Sequence, residues 1–417
     1  KRVVHPGRRN FRSVWLSLFF TAMGLMAFLP VLALYVESEF GIDDPQQVAM
    51  WASMIYGAGP LAAACAGPIW GAVGDRYGKK RMAVRANVAI AVTTACMPFA
   101  PSLMWLLVAR IFQGMFAGYV APAMALGTGQ LPRYVHGRVL ASLQVAMATG
   151  TLCGPYLGAE ITAMFGRSSL FWVASILSLV SAVVLHLRAT DVPPSATARD
   201  HSFLVGFWRG CVTLLSSGVF ASLLLLLIVL RFGQNMLEPM IALFVRELGP
   251  QAWIVAWSRT EPLALDRTIA LAFAVLAIGQ WICTPRWGRM ADRHGPLRCL
   301  SAVCFALFLL QGLMLLVTSI NQFLLLRCMI ACAMAGSMTL AFAAVSKRVA
   351  DEHRTLAFSL VQSCIQLGLA LGPVFGALVV RTEHGPDFRF GFGVAAVLCG
   401  LAGVGLLLLR RFERPRA

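Results

Sequence analysis

Four polar side chains within one long apolar segment are the clearest candidates for chemistry in this sequence. Arg231, Gln234, Asn235 and Glu238 fall at positions i, i+3, i+4 and i+7, so a helix would place all four on one face. A charge inside a bilayer costs about 3 kcal/mol or more unless it is paired or hydrated. The spacing therefore predicts a polar stripe that lines a central cavity. The alternative is a stripe of hydrogen bonds that joins neighbouring helices.

Glu238 is the first candidate for a group that binds and releases protons. A carboxylate in a partly desolvated cavity can change its protonation, because burial disfavours the charged form and a nearby arginine favours it. Arg231 shares the face of Glu238, and Pro239 breaks the helix beside it. We expect protonation of Glu238 to compete with substrate binding. Glu160 is the second candidate, and Arg327, near the end of its apolar segment, is expected to extend toward the membrane surface.

Other polar and aromatic side chains are candidates for the wall of the same cavity. Gln362 and Gln366 are spaced i, i+4 and share a helix face. Aromatic and thioether side chains suit apolar cargo, although such residues also pack between helices or face lipid. The candidates of this second kind are Met23, Phe28, Tyr56 and Trp281.

The composition places these residues in a membrane protein. Of the 417 residues, 59% are hydrophobic and 13% are charged, and the mean hydropathy is +0.75. A soluble domain is about half apolar and a quarter charged, so a soluble enzyme and a disordered chain are excluded. The 11 cysteines lack the spacing of metal ligands, so no metal site is predicted. The sequence also lacks a nucleotide-binding loop and a catalytic cluster, so we expect neither an enzyme nor a cofactor.

Apolar segments of about 20 residues, the length that crosses a bilayer, recur along the whole chain. They predict an all-α integral membrane protein with twelve transmembrane helices. The predicted spans are Phe11–Val36, Gln47–Val73, Met82–Ala100, Leu103–Ala125, Val139–Phe165, Leu170–Leu187, Gly218–Val245, Thr268–Trp287, Leu297–Thr318, Gln322–Val345, Leu356–Val380 and Phe388–Leu409.

The basic residues lie mainly on one side of these spans. The chain has 35 Lys and Arg against 18 Asp and Glu, a net charge of +17. Segments on the side of the N-terminus hold 26 of the basic residues, and those on the opposite side hold 6. Cytoplasmic loops carry such an excess, so both termini are predicted to be cytoplasmic and no nucleic-acid partner is expected.

The sequence repeats itself at an offset of about 217 residues. The run from Pro68 to Gly78 aligns without a gap with the run from Pro285 to Gly295, and Arg110 aligns with Arg327. Two homologous halves of six spans follow, related by an axis along the membrane normal, with substrate bound between them. The predicted domains are residues 1–187, a cytoplasmic linker at 188–210, and residues 211–417.

Three motifs resemble those of the major facilitator superfamily. The end of the second span and the loop after it read Gly71-x2-Gly74-Asp75-Arg76-x-Gly78-Lys79-Lys80. The fourth span contains Arg110-x2-Gln113-Gly114, and the fifth contains Gly150-x3-Gly154-Pro155-x2-Gly158. Together they are similar to the twelve-span drug:proton antiporter branch. One departure is that the first span lacks the acidic residue that several drug exporters carry there.

The resemblance implies roles in gating for the motif residues. Asp75 and Arg76, repeated as Asp292 and Arg293, would form a latch that holds the outward-facing state; the alternative is a surface ion pair. The glycines of the fifth span, with Pro155, form a packing seam that reappears as Gly372-Pro373 in the eleventh span. The resemblance also implies that Arg110 tunes proton affinity, whereas a structural role would pair it with backbone carbonyls.

The expected function is export of small drug-like or amphipathic molecules across the bacterial inner membrane by proton antiport with alternating access. The expected partners are a small-molecule substrate, protons and the lipid bilayer, and the chain is expected to be monomeric. Two alternatives remain open: an exporter of one defined metabolite, such as a siderophore-like chelator or a sugar, and a receptor-like relative that transports nothing.

Overall fold

The computed structural model describes residues 6–129, 131, 136–191, 211–258, 260–346, 349, 354–383 and 385–411. Helices dominate these residues, as the apolar segments predict. They are α1 Pro6–Phe28, α2 Leu32–Phe40, α3 Pro45–Tyr77, α4 Lys79–Cys96, α5 Leu103–Phe116, α6 Val120–Thr128, α7 His136–Phe165, α8 Ser169–Arg188, α9 Gly218–Asn235, α10 Ile241–Leu248, α11 Ala252–Trp257, α12 Glu261–His294, α13 Pro296–Leu313, α14 Ile320–Ser346, α15 Arg354–Val379 and α16 Phe388–Arg411.

Each of the twelve predicted spans coincides with at least one of these helices. Within the described residues, ten helical segments are long and apolar enough to cross a membrane. The predicted spans Leu103–Ala125 and Val139–Phe165 are not among those ten; they coincide with α5 and α6 and with α7. The helical membrane fold is therefore confirmed, while the number twelve stays a prediction.

The first and seventh predicted spans are each interrupted at a proline. Short 3-10 helices at Leu29–Val31 and Glu238–Met240 contain Pro30 and Pro239 and separate α1 from α2 and α9 from α10. Proline lacks the amide hydrogen that an α-helix needs, so the helix changes geometry at these two positions. The repeated proline therefore produces the same break in both parts of the chain.

The fourth predicted span is divided, which the sequence did not predict. Residues 117–119 between α5 and α6 are not helical. The Trp70 indole donates to the Met115 carbonyl at 2.6 Å, and the Arg85 guanidinium donates to the Phe116 carbonyl at 3.4 Å. These side chains occupy acceptors that the helix would otherwise use. In the repeat, Trp287 donates to the Cys332 carbonyl, Ala302 stands in the place of Arg85, and α14 continues unbroken.

The same helix pairs pack in both parts of the chain. In the first part α1 packs on α7 and α8, α3 on α5, and α4 on α8. In the second part α9 packs on α15 and α16, α12 on α14, and α13 on α16. The two sets are joined mainly by α3 against α15 and α7 against α12. The domain boundaries stay a prediction, because residues 192–210 of the linker lie outside the described residues.

The end of the bundle opposite the chain termini is called the distal end below. It holds α2, α10, α11 and an antiparallel pair of two-residue strands, β1 Arg381–Thr382 and β2 Gly385–Pro386. The charge distribution predicts that the distal end is extracellular.

Candidate functional site

Glu238 forms an ion pair with Arg327 at the centre of the bundle. Its Oε1 atom lies 2.9 Å from a terminal nitrogen of Arg327, and the two side chains are 14% and 6% exposed. The Nε of Arg327 also donates to the carbonyl of Ala272 at 3.0 Å, and the rings of Phe273 and Phe323 lie 5.1 and 5.9 Å from its guanidinium. The expected extension of Arg327 to the membrane surface is wrong, because its backbone and carboxylate partners hold it inside.

Arg110 occupies the corresponding place in the first part of the chain, with neutral partners. Its Nε donates to the carbonyl of Ile55 at 3.1 Å. Ile55 and Ala272 are equivalent positions of the sequence repeat, as Arg110 and Arg327 are. Its terminal nitrogens donate to the side chain of Gln113 and to the Tyr56 carbonyl. Pairing with backbone carbonyls, the structural role considered from the sequence, is therefore present. The two arginines have matched anchors, and Arg327 additionally binds a carboxylate.

The predicted polar stripe is only partly formed. The helix α9 ends at Asn235, so Glu238 lies in the following 3-10 helix and not on the same α-helical face. Arg231, the expected partner of Glu238, instead donates to Gln234 Oε1 at 2.8 Å, and Asn235 donates to the Arg231 carbonyl at 2.8 Å. Among the described residues, the buried Nε of Arg231 and Nε2 of Gln234 have no hydrogen-bond partner. Two donors are left without an acceptor.

Tyr56 connects these groups across the two parts of the chain. It lies on α3, which packs against the 3-10 helix that contains Glu238. It interacts electrostatically with Glu238 and with the three arginines Arg110, Arg231 and Arg327. These five residues are called the central cluster below. The predicted wall residue Tyr56 is thus grouped with the predicted proton-coupling residues Arg110, Arg231 and Glu238, and Arg327 is added to them.

The remaining predicted wall residues have different surroundings. Gln366 is half-buried on α15, whereas Gln362 on the same helix is exposed. Met23 is half-buried on α1, where its backbone lies against two glycines of α7. Phe28 is buried in the core, with its ring 5.0 Å from that of Phe171, because α8 packs over that side of α1. Trp281 is 57% exposed, so it is not enclosed between helices.

Side chains from the two parts of the chain form ion pairs at the distal end. Glu160, a predicted proton site, accepts from Nε and a terminal nitrogen of Arg267 at 2.8 and 3.1 Å. The Glu37 carboxylate lies 2.5 Å from Arg246, and the Asp266 carboxylate lies 3.8 Å from Arg167. The distal end is therefore closed by contacts between the two parts of the chain.

The sequence analysis missed most of these distal residues. The segments Pro30–Val36 and Pro239–Val245 share a proline at the first position and Ala-Leu at the fourth and fifth. Glu37 and Arg246 directly follow them, so they occupy equivalent repeat positions with opposite charge. That signal could have identified the pair. Asp266 and Arg267 precede their predicted span and carry no comparable signal.

Glycines on α7 and α15 form the predicted seams. Added Cβ atoms at Gly150, Gly154 and Gly158 would meet the backbone of α1, which lies directly against them. In the second part of the chain, Gly372 and a further glycine at position 368 lie equally close to α9, and the glycine at position 376 lies against Met236, directly after α9. Both α7 and α15 continue as helices through their prolines, Pro155 and Pro373.

The predicted latch falls mainly on side chains that are not described. The side chains of Asp75, Arg76 and Asp292 and the surroundings of Gly71 and Gly74 lie outside the described residues. Arg293 is exposed at the end of α12. Gly78 has a φ of 102°, which favours glycine, and precedes α4, where the Asp191 carboxylate accepts from the Lys80 amide at 3.2 Å. The latch stays a prediction.

Comparison with known proteins gives one consistent family. The sequence model of the Major Facilitator Superfamily matches residues 14–258 and 223–417. The chain is 28% identical over 371 residues to the multi-drug resistance efflux pump PmrA of Streptococcus pneumoniae, and the aligned region covers 89% of each sequence. It is 29% identical over 406 residues to the multidrug resistance protein MdtG of Dickeya zeae, which covers 96% of this chain and 92% of that one.

A solved transporter structure has the same fold. The crystal structure of a mutant of the nucleoside transporter NupG matches with a TM-score of 0.80 at 11% identity, over 96% of this chain and 99% of that chain. At this identity the similarity concerns the fold alone.

Proposed function

Because the chain belongs to the major facilitator superfamily, we propose that it exports small organic molecules across the bacterial cytoplasmic membrane by proton antiport. Members of this family are transporters, and the relatives PmrA and MdtG are named for drug efflux and drug resistance. Their identity with this chain over about nine-tenths of its length supports a drug-like, amphipathic cargo.

The observation that carries the proposal is the ion pair between Glu238 and Arg327. Glu238 is the one carboxylate in the central cluster, and its partner is fixed by a backbone carbonyl. A buried carboxylate is ionised while its arginine is near and takes up a proton when the pair separates. Separation of α9–α10 from α14 during transport would supply that change. Glu238 is therefore the proposed coupling residue.

The distal ion pairs support alternating access. They join parts of the chain that would have to separate for the central cluster to open toward the distal side. Partly exposed ion pairs of this kind contribute little free energy each, about 0–1 kcal/mol, so they can break and reform within a transport cycle. In this proposal Glu160 holds the distal side closed through Arg267, and Glu238 carries the proton.

The proposal is tested in proteoliposomes that contain a pH-sensitive dye. Drug-like cations, neutral compounds and anions are added in turn to the wild-type protein and to Glu238→Gln. The wild-type protein is expected to move protons against at least one compound. The variant should move no protons with that compound, since glutamine cannot be protonated.

The matched control is Glu247→Gln, which removes a carboxylate that is 40% exposed and paired with Arg389 at the distal end. This control should keep proton movement. Proton movement by Glu238→Gln at the wild-type rate, or a wild-type protein that moves no protons with any compound, would contradict the proposal.

A further inference from the structure

The central cluster contains more positive than negative charge. Its charged members are the three arginines Arg110, Arg231 and Arg327 and the one carboxylate of Glu238, a net charge of +2. Arginine stays protonated inside proteins, so this charge cannot be removed by releasing protons. A charge surplus in the interior of a membrane protein needs a counter-charge or water. The cluster is therefore electrostatically incomplete.

Arg231 is the arginine with the weakest set of partners. Arg327 has a carboxylate, and Arg110 has two backbone carbonyls and the Gln113 side chain. Arg231 donates to Gln234 alone among the described residues, and both its Nε and the Gln234 Nε2 are buried without an acceptor. Gln234 is 6% exposed. Buried donors without acceptors are unfavourable, so an anionic ligand group beside these two atoms would be stabilised.

A purely anionic cargo does not fit antiport at Glu238. An anion beside the carboxylate would favour its protonation, and proton and cargo would then bind together. Competition with the proton requires a positive group of the cargo next to Glu238. The carboxylate can receive one, because only its Oε1 is bonded to Arg327 among the described contacts and its side chain is 14% exposed.

We propose that the preferred cargo is a zwitterion. Its acidic group binds Arg231 and Gln234, and its ammonium group binds Glu238 in place of the proton. The half-buried Tyr56, on the helix that packs against the 3-10 helix of Glu238, contacts the apolar part of the cargo. This inference rests on the proposed antiport and names the class of substrate that the central cluster accepts.

The test uses four ligands that share a naphthylmethyl group and whose charge does not change with pH. They are a sulfobetaine with a quaternary ammonium and a sulfonate, the matched quaternary cation, the matched sulfonate and the neutral ether. Binding to the purified full-length protein is measured by calorimetry. The sulfobetaine is expected to bind about tenfold more tightly than the cation or the sulfonate, because one charge-assisted hydrogen bond contributes about that factor.

Variants of Arg231 and Glu238 separate the two subsites. Arg231→Gln should reduce sulfobetaine affinity about tenfold to that of the cation and leave the cation unchanged. Arg231→Lys should retain most of the affinity, because it keeps the positive charge. This result would show that the loss in Arg231→Gln is due to the missing charge and not to misfolding. Glu238→Gln should reduce sulfobetaine affinity to that of the sulfonate. Arg286→Gln, which removes an exposed cation bonded to its own helix, is the control and should change none of these values.

The outcomes distinguish this inference from the proposed antiport. The zwitterion inference would be overturned if the sulfobetaine did not bind, or if it bound no more tightly than the cation. It would also be overturned if Arg231→Gln lost affinity for the cation and the sulfobetaine equally. Proton movement driven by the cation would leave antiport standing in that case. Tight, Arg231-dependent sulfobetaine binding without proton movement would contradict antiport and retain the two subsites.

Discussion

At the scale of single residues, Arg110 and Arg327 are anchored in the same way, by a bond from Nε to a backbone carbonyl, and differ in the partners of their terminal nitrogens. Each donates its Nε to a carbonyl of the neighbouring helix, Ile55 or Ala272, and is about 5% exposed. The carbonyl fixes the guanidinium, and the remaining nitrogens are then available to Gln113 or to Glu238. The repeated scaffold thus supplies a neutral site in one half and a charged site in the other.

Removal of one partner of the central ion pair should be more harmful than removal of both. Arg327→Gln leaves the Glu238 carboxylate buried without its paired cation, whereas the double variant Glu238→Gln/Arg327→Gln removes both charges of the pair. At pH 8 the double variant should melt at a higher temperature than Arg327→Gln, with a coupling energy of about 1–3 kcal/mol. Thermal unfolding in detergent measures this order.

The control for this comparison of single and double variants is the distal pair of Glu37 and Arg246, whose side chains are 26% and 39% exposed. Its coupling energy should stay below about 1 kcal/mol because solvent screens the charges. A double variant that melts below Arg327→Gln would show that Glu238 and Arg327 do not stabilise each other.

At the scale of helices, glycines set how closely the transport helices approach. A Cβ atom at Gly154 would lie 2.6 Å from the carbonyl oxygen of Met23 and 2.7 Å from Cβ of Met26. These contacts are with helix α1, whose backbone cannot move away without displacing α8 as well. The seam therefore depends on glycine and not on small residues in general.

Two glycine-to-alanine variants should change stability in opposite directions. Alanine is favoured over glycine in a helix by about 1 kcal/mol, so Gly312→Ala on α13, with no atom within 4 Å of its Cβ, should be neutral or stabilising. Gly154→Ala should be destabilising by about 1–3 kcal/mol because of overpacking. Melting temperatures of the purified variants check both signs, and equal shifts would refute close packing at this seam.

At the scale of the whole molecule, the distal contacts define the state of the transporter. The ion pairs of Glu37, Glu160 and Asp266 all join residues before 188 to residues after 210, and Gln46 donates to the Thr382 carbonyl across the same boundary. In this conformation the two parts of the chain meet at the distal end. The transport cycle that we propose requires these contacts to open.

A distal crosslink should stop transport. In a variant without the 11 native cysteines, Gln46→Cys/Thr382→Cys should form a disulfide on mild oxidation. Transport should then cease and return after reduction, because the two parts can no longer separate. Crosslinking yield and transport in proteoliposomes are measured together.

The matched control is Glu39→Cys/Ser168→Cys, at two distal positions within the first part of the chain whose side chains lie 3.2 Å apart. This crosslink should leave transport unchanged. Full transport by the protein crosslinked between positions 46 and 382 would exclude opening at the distal end.

The membrane fold, the family, the approximate helix positions and most residues of the central cluster could be predicted from the sequence. Hydropathy and helical spacing are local properties, and a charge within an apolar segment is visible without any structure. The hydrogen-bond and ion-pair partners of these residues could not be predicted, because they depend on how the helices pack. Arg231 was expected to pair with Glu238 because the two are close in sequence, but α9 ends before Glu238, and Arg327 reaches it from α14. Which helix lies opposite a given side chain depends on how the helices pack, and local spacing does not contain that information.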